Sequence, residues 1–260
     1  MSESVLLIEE NDGIAELTLN RPAKKNALSR ELRKALVSAF YDLAGRRRPP
    51  VVILTGAGDA FTAGLDLKEL AVTGISNASG EDPPEVDIAR QMAAYPAPII
   101  GAVGGVAVTG GFEIALACDL IIASTNARFA DTHARVGILP GWGLSQRLPR
   151  LIGIVRAKEL SLTGNYIDAE QAERWGLVNR VVAPENLMAA CRALAADMAS
   201  CEPEVMLAYK RVIDDGFGMN FAAAMNMESE RSKEHARTVS AEDIAARRSS
   251  VQTRGKTQKG

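Results

Sequence analysis

Three side chains that can transfer protons lie close together in the sequence: Glu113, Asp131 and His133. Glu113 stands between apolar neighbours at the start of a helical segment, where partial desolvation makes a carboxylate a better base. A glutamate there can also do no more than favour the helix dipole. His133 can transfer a proton near neutral pH, or it can make a purely structural hydrogen bond. Asp131 can reach the same site, support His133, or do neither.

Two glycine-containing segments could supply backbone hydrogen-bond donors to such a site. Residues 55–67 and 104–119 share one layout, in which an apolar strand is followed by small residues and then a short helix. Free N–H groups at a helix start point outward, and two such corners can form an oxyanion hole. The same glycines can instead serve only to permit tight turns. Neither segment matches the phosphate-binding loop or the dinucleotide fingerprint.

The elements that must position these residues alternate between strand and helix. Residues 4–10 and 14–20 flank the turn formers 11–13 and predict a hairpin. Ser29 can cap a helix whose apolar residues recur at intervals of three and four. The further predicted elements are a strand at 51–54, a strand at 99–108, a helix at 113–117, a strand at 120–124, a helix after Asp168 and a strand at 178–182. This order indicates the α/β class.

The last third of the chain carries only helical signals. The predicted helices lie near 185–200, 203–214, 219–237 and 241–249. We therefore predict an α/β core over residues 1–200 and a helical region over 201–260. The helical region ends in a basic tail after Ile244 that contains Arg247, Arg248, Arg254, Lys256 and Lys259.

Composition narrows the possible functions. A net charge of −2, from 30 basic and 32 acidic residues, gives no general attraction to nucleic acid. The three cysteines match neither a disulfide framework nor a zinc site, so we expect no metal and a reducing, cytoplasmic location. The N-terminus lacks the pattern of a signal peptide. The uncharged residues 91–112 contain two prolines and five glycines, which argues against a membrane span.

Several spaced motifs together resemble the crotonase family, also called the enoyl-CoA hydratase/isomerase superfamily. The resemblance covers residues 5–245 and is more specific than any one glycine pattern. The residues that carry it are Asn20, Arg21, Pro22, Asn26, Ala27, Leu28, Gly56, Phe61, Ala63, Gly64, Asp66, Leu67, Gly110, Gly111, Glu113, Cys118, Asp119, Gly137, Leu139, Pro140 and Gly141.

The resemblance implies a fold, an assembly and a ligand. The fold is the ClpP/crotonase spiral of repeated ββα units, with a helical C-terminal region that makes trimer contacts. The expected assembly is a homotrimer or a dimer of trimers, with no nucleic-acid or membrane partner. The expected substrate is an acyl-CoA thioester, and no separate cofactor is needed because CoA belongs to the substrate.

The resemblance also assigns binding residues. By position, the backbone N–H groups of Ala63 and Gly110 form the oxyanion hole for the thioester oxygen. Trp142 either lines the acyl pocket or belongs to the core. The expected CoA contacts come from the segment at Ala23 and Lys24 and from Gly64, Leu65, Asp66 and Leu67. Lys24 can meet a CoA phosphate or be an ordinary solvated lysine.

At the catalytic positions the sequence departs from the family pattern. Glu113 takes the place of the first glutamate of the hydratases, the base that activates water. His133 stands where the second glutamate is expected. Either His133 or Asp131 can replace that glutamate. Three outcomes stay open: an enoyl-CoA hydratase in which His133, or the thioester enolate with water, completes proton transfer; an isomerase that moves a proton with one carboxylate; and an acyl-CoA-binding protein with little turnover.

Overall fold

The computed structural model describes residues 4–73 and 84–257 of the chain. Its strands are β1 (Leu6–Asn11), β2 (Ile14–Leu19), β3 (Val51–Gly56), β4 (Ala60–Thr62), β5 (Ile99–Val103), β6 (Val106–Val108), β7 (Leu120–Ser124), β8 (Arg128–Ala130), β9 (Tyr166–Asp168) and β10 (Arg180–Val182). Its α-helices are α1 (Arg30–Ala44), α2 (Leu67–Thr73), α3 (Ile88–Ala93), α4 (Gly110–Ala117), α5 (His133–Val136), α6 (Leu144–Ile152), α7 (Ile154–Thr163), α8 (Ala169–Arg174), α9 (Leu187–Ala199), α10 (Pro203–Phe217), α11 (Phe221–Ala236) and α12 (Ala241–Thr257). Short 3₁₀ turns lie at Pro22–Lys24, Pro84–Val86 and Pro184–Asn186.

The strands form two sheets that the chain visits alternately. The larger sheet has the order β1-β2-β3-β5-β7-β10, and the smaller has the order β4-β6-β8-β9. The larger sheet is parallel except for the β1–β2 hairpin, and the smaller is parallel except for β8–β9. The pairs β3–β4, β5–β6 and β7–β8 each place one strand in each sheet before a helix. This repeated ββα unit confirms the predicted α/β spiral.

Local sequence signals account for the first elements. Asp12 and Gly13 have positive φ angles of 48° and 78°, which gives the predicted turn between β1 and β2. The Ser29 side chain accepts a hydrogen bond from the Leu32 N–H, so α1 begins at the predicted cap. The apolar face of α1 is buried, and the helix ends at Gly45.

The prediction of one continuous strand at 99–108 is wrong. The segment divides into β5 and β6, which belong to different sheets, and Gly104 and Gly105 lie between them. A Cβ on Gly105 would lie 2.0 Å from the Asp59 carbonyl oxygen, so only glycine permits this close backbone approach. A run of apolar residues indicates a strand that is buried on both faces. Strands of either sheet can be buried in this way, so the apolar pattern does not show where the chain passes from one sheet to the other.

The larger sheet is covered on both faces, which explains its continuous apolar strands. On one face, Val51 and Ile53 of β3 pack with Ile100 of β5 and with Leu187 and Cys191 of α9. The opposite-facing residues of the same strands join the main core. That core includes the buried faces of α1 and α4.

The chain divides into two compact units, with the boundary between Leu207 and Ala208 inside α10. The boundary predicted from the sequence falls after residue 200, seven residues earlier. The second unit contains the end of α10 followed by α11 and α12, and α12 extends beyond the predicted 241–249. The basic residues Arg247, Arg248, Arg254 and Lys256 lie on α12. Lys259 lies outside the described residues.

Within residues 4–73 and 84–257, no helix is long and apolar enough to cross a membrane.

The approach at Gly105 predicts a stability difference between two adjacent glycines. Gly105→Ala forces its Cβ into the Asp59 backbone, so we expect the free energy of unfolding to fall by about 3 kcal/mol. Gly104→Ala is the matched control, because its Cβ would meet only the flexible Leu187 side chain at 3.4 Å. Urea denaturation of both variants measures the difference. Equal stability of the two variants would contradict the packing described here.

Candidate active site

Two strand-to-helix corners meet at glycines. Gly64 has a φ of 81°, and a Cβ there would lie 2.9 Å from the Val108 carbonyl oxygen and 3.0 Å from the Gly110 nitrogen. A Cβ on Gly110 would lie 3.6 Å from the Leu65 nitrogen and 3.3 Å from Cζ3 of Trp142. The backbone amides of Leu65 and Gly110 are therefore neighbours, and the Trp142 ring lies beside them.

The amide of Ala63 has a different role from the predicted one. Its N–H donates to the Lys25 carbonyl oxygen at 2.9 Å. This bond joins the 3₁₀ turn region to the loop after β4, and it occupies the N–H that sequence analysis assigned to the oxyanion hole. The backbone nitrogen of Leu65, two residues later, is the one that lies near Gly110. Sequence alone gives no signal for this shift, because the acceptor Lys25 is distant along the chain.

A buried asparagine holds this loop in place. The Asn26 side chain donates to the carbonyl oxygens of Ala57 and Ala60 at 2.9 and 2.8 Å and accepts from the Arg21 N–H at 2.9 Å. The Thr62 hydroxyl donates to the Asn26 carbonyl oxygen at 2.8 Å. The corner at Gly64 is thus fixed from the N-terminal side by Asn26.

Glu113 lies in the first turn of α4 and is 3% exposed. Its Oε1 accepts the backbone N–H groups of Trp142 at 2.7 Å and Leu144 at 3.3 Å. These two donors satisfy the hydrogen-bonding capacity of this buried oxygen. They also hold Oε1, so that Oε2 faces His133.

His133 begins α5 and links two carboxylates. Its Nε2 lies 3.4 Å from Oε2 of Glu113, and its Nδ1 lies 2.7 Å from Oδ1 of Asp131. The backbone N–H of His133 also donates to Asp131 Oδ1 at 3.2 Å. The structure therefore brings all three predicted catalytic side chains into one buried row, Asp131–His133–Glu113. Of the three roles left open for Asp131, the geometry shows support of His133.

The row favours a protonated imidazole. Burial acts most strongly on His133 and lowers its pKa, but hydrogen bonds and charges from Asp131 and Glu113 together outweigh it and raise the pKa to about 9. Burial likewise opposes the ionised form of Asp131, yet hydrogen bonds from His133 and Ser161 lower the pKa of this carboxyl below its usual value. The raised pKa favours the imidazolium form of His133 between Asp131 and Glu113.

The residues expected to contact CoA lie on the rim of these corners. Ala23 and Lys24 are exposed in the 3₁₀ turn, and Leu67 is exposed at the start of α2. Asp66 instead forms an ion pair of 3.0 Å with Arg21, and it accepts the Glu69 N–H at 3.5 Å in the first turn of α2. Asp66 thus shapes the loop.

Among the residues that the structure describes, no group of three or more His, Cys, Asp or Glu side chains is arranged to hold a metal ion.

Comparisons with known proteins agree on one family. A family model described as enoyl-CoA hydratase/isomerase matches residues 9–253. The chain is 41% identical to probable enoyl-CoA hydratase 1, peroxisomal, of Arabidopsis thaliana, over 89% of this chain and 86% of that protein. It is 36% identical to the short-chain-enoyl-CoA hydratase of Clostridium acetobutylicum, over 86% and 87%. A crystal structure of enoyl-CoA hydratase subunit I from Geobacillus kaustophilus superposes with a TM-score of 0.85 at 32% identity, covering 96% of this chain and 95% of that one.

The raised pKa of His133 predicts a pH-dependent stability. Its pKa rises from 6.5 to about 9 on folding, so the stabilisation is complete below pH 6.5, declines as pH increases, and is lost above about 9. At about 1.4 kcal/mol for each pKa unit, the parent gains roughly 3 kcal/mol at the acidic end. Urea denaturation at pH 6.5 and 9.5 tests this in the parent and in His133→Gln, which we expect to lose that dependence. His235→Gln removes the other, exposed histidine and serves as the control. An unchanged pH dependence in His133→Gln would refute the assignment.

Proposed function

We propose that this chain, which belongs to the enoyl-CoA hydratase/isomerase family, adds water to the double bond of 2-enoyl-CoA thioesters. The hydratase names of its relatives support this activity. The observation that carries the proposal is the contact between Glu113 and His133, which lie beside the paired corners that contain Gly110. A carboxylate base and an imidazolium acid side by side are the two groups that water addition requires.

Stabilisation of the enolate is assigned to the backbone. Water addition at C3 puts negative charge on the thioester oxygen, and one well-placed N–H donor there contributes about 3 kcal/mol. We assign this role to the amides of Leu65 and Gly110. Gly110 is the first residue of α4, so its N–H has no acceptor one turn earlier in the helix. The Leu65 amide takes the place first given to Ala63, whose N–H is bonded to Lys25.

The proposed proton transfers balance within the site. Glu113 takes a proton from the water whose oxygen bonds to C3, and the Nε2–H of His133 protonates C2. The site then holds a neutral carboxyl and a neutral imidazole. The proton on Glu113 passes to His133 across their 3.4 Å contact, which restores the starting state. Asp131 stays ionised and keeps the imidazole oriented through Nδ1.

The proposed binding of CoA uses the rim residues. Lys24, exposed in its 3₁₀ turn, can meet a phosphate, while Ala23 and the Gly64–Leu67 loop line the path. Trp142 lies against Gly110 and therefore borders the reacting end of the acyl group. Water addition exchanges no electrons, so the proposed reaction requires no redox cofactor.

A cytoplasmic location stays a prediction. It is supported by free cysteines, since Cys118 and Cys191 are buried without a disulfide and Cys201 is exposed. The Arabidopsis relative is named as peroxisomal, so fluorescence microscopy of the tagged chain is the direct measurement.

A hydration assay tests the proposed function. Loss of the conjugated thioester absorbance is followed with 2-enoyl-CoA substrates of short, medium and long chain. We expect Glu113→Gln to lower kcat by about 100- to 10,000-fold, because the base is lost. Binding of the CoA thioester, measured by calorimetry, should persist. Glu170→Gln, on the exposed surface of α8, is the matched control.

Substitutions at His133 complete that experiment. His133→Gln should lower kcat, and His133→Glu should restore part of it because a second carboxyl can again deliver a proton. A parent that leaves 2-enoyl-CoA unchanged but converts 3-enoyl-CoA is an isomerase. A parent that binds thioesters without converting either is a binding protein.

The proposed assembly is a homotrimer or a dimer of trimers. It is supported by large apolar side chains that are exposed on the second unit: Tyr209, Ile213, Phe217, Phe221, Met225, Ile244 and Val251. Surfaces of this kind mark protein interfaces.

Light scattering after gel filtration tests the assembly. We expect three or six times the chain mass of 27.7 kDa. Phe221→Asp should shift the protein toward monomer, because it buries a charge in the contact. Asn226→Asp adds the same charge at a polar position of α11 and should keep the parental mass. A monomeric parent would rule out the proposed assembly.

A further inference from the structure

Thr109 has a backbone conformation that suits glycine. Its φ is 54° and its ψ is −119°, immediately before α4. A β-branched residue at positive φ is a conformational outlier, because its Cβ crowds the backbone. Such strain persists only where the surrounding structure holds it, and it concentrates at functional sites.

Glycine would suit the backbone at position 109 better than threonine does. The two following residues are glycines whose Cβ atoms would meet neighbours: at Gly111 a Cβ would lie 2.2 Å from the Thr62 carbonyl oxygen. Glycine would relieve the strain at position 109 as well. Of residues 109–111, only residue 109 carries a side chain. This indicates that the threonine side chain has a use.

The Thr109 side chain connects the two catalytic corners. Its hydroxyl hydrogen-bonds to the hydroxyl of Thr132, the residue between Asp131 and His133. The backbone adds two further bonds: the Thr109 N–H donates to the Ala130 carbonyl at 3.0 Å, and the Thr109 carbonyl accepts the Glu113 N–H at 3.0 Å. One residue thus contacts the strand before His133 and the helix that carries Glu113.

We propose that the Thr109–Thr132 hydroxyl pair is a positioning device that fixes His133 relative to Glu113 and the Gly110 amide. The inference rests on the hydration reaction proposed above, in which these three groups act on one acyl group. Neither threonine takes or gives a proton in that reaction. Their hydrogen bond sets the distance between the corner that holds the thioester oxygen and the corner that delivers the proton to C2.

A positioning role and a purely structural role predict different results for Thr109→Gly. Glycine accepts the backbone angles without strain, so the variant should be as stable as the parent or more stable. Loss of the hydroxyl link should nevertheless lower kcat by about tenfold or more, because small displacements of reacting groups are costly. A structural residue would instead lower stability and activity together.

The experiment compares four variants by kcat, KM and melting temperature. Thr109→Gly and Thr132→Val each remove one hydroxyl, and both should lose kcat while KM stays within about twofold, since the binding groups are untouched. Thr109→Ser keeps the hydroxyl and should retain most of the activity. Asp12→Gly relieves another positive φ, of 48°, in the distant β1–β2 turn and should leave kcat unchanged.

A second readout is independent of turnover. The chain has only two histidines, so NMR of labelled histidine follows His133 directly, and its signal is identified by its absence in His133→Gln. In Thr132→Val the titration midpoint of His133 should move down from its parental value, because the ring is held less closely to its two carboxylates.

The outcomes separate the inference from the proposed function. A parent without hydratase activity defeats the proposed function, and the histidine titration still decides whether the hydroxyl pair positions His133. An active parent whose kcat and His133 midpoint are unaffected by both Thr109→Gly and Thr132→Val overturns the positioning role. A fall in kcat that is accompanied by a clear fall in melting temperature in Thr109→Gly also overturns it.

Discussion

The architecture depends on one steric constraint, the close approach of two backbone corners. The loop at Gly64 lies so near the start of α4 that a Cβ on Gly64 would lie only 2.9 Å from the Val108 carbonyl oxygen and 3.0 Å from the Gly110 nitrogen. This contact places the amides of Leu65 and Gly110 side by side and sets the point at which α4 begins. Because α4 begins there, Glu113 is carried into the interior within the first turn of the helix.

The buried charges follow from that placement. An isolated carboxylate at 3% exposure is strongly unfavourable, and Glu113 is tolerated because two N–H groups and an imidazolium face it. Asp131 contacts the other ring nitrogen of His133, so each buried carboxyl group has the imidazole as a partner. His133 thus lies between the two carboxyl groups, and its contacts with both favour the protonated imidazole.

In the proposed reaction, histidine donates its proton under different conditions from a second glutamate. A carboxyl must be held neutral to act as a proton donor, which requires a raised pKa. Contacts with Asp131 and Glu113 raise the pKa of His133 to about 9, so the proposed donor carries its proton at neutral pH. The cost is dependence on Asp131 and Ser161, which must hold the ring and its carboxylate in place.

The sequence by itself determined the class of fold. Turn residues at 11–13, the cap at Ser29 and apolar strands report local conformation and burial, and these were enough to predict the α/β core. The spaced motifs also predicted Glu113 and Gly110 as site residues, and the departure from the family pattern pointed to His133 and the neighbouring Asp131. Only the tertiary structure decided that residues 99–108 form strands of two sheets. It also decided that the Ala63 N–H donates to the Lys25 carbonyl oxygen, and that His133 lies between two carboxyl groups. Each of these depends on a partner distant along the chain: a carbonyl at Asp59 or Lys25, or a carboxylate on another helix. Local pattern records what a residue prefers, but the fold decides which donor meets which acceptor and therefore which proton can move.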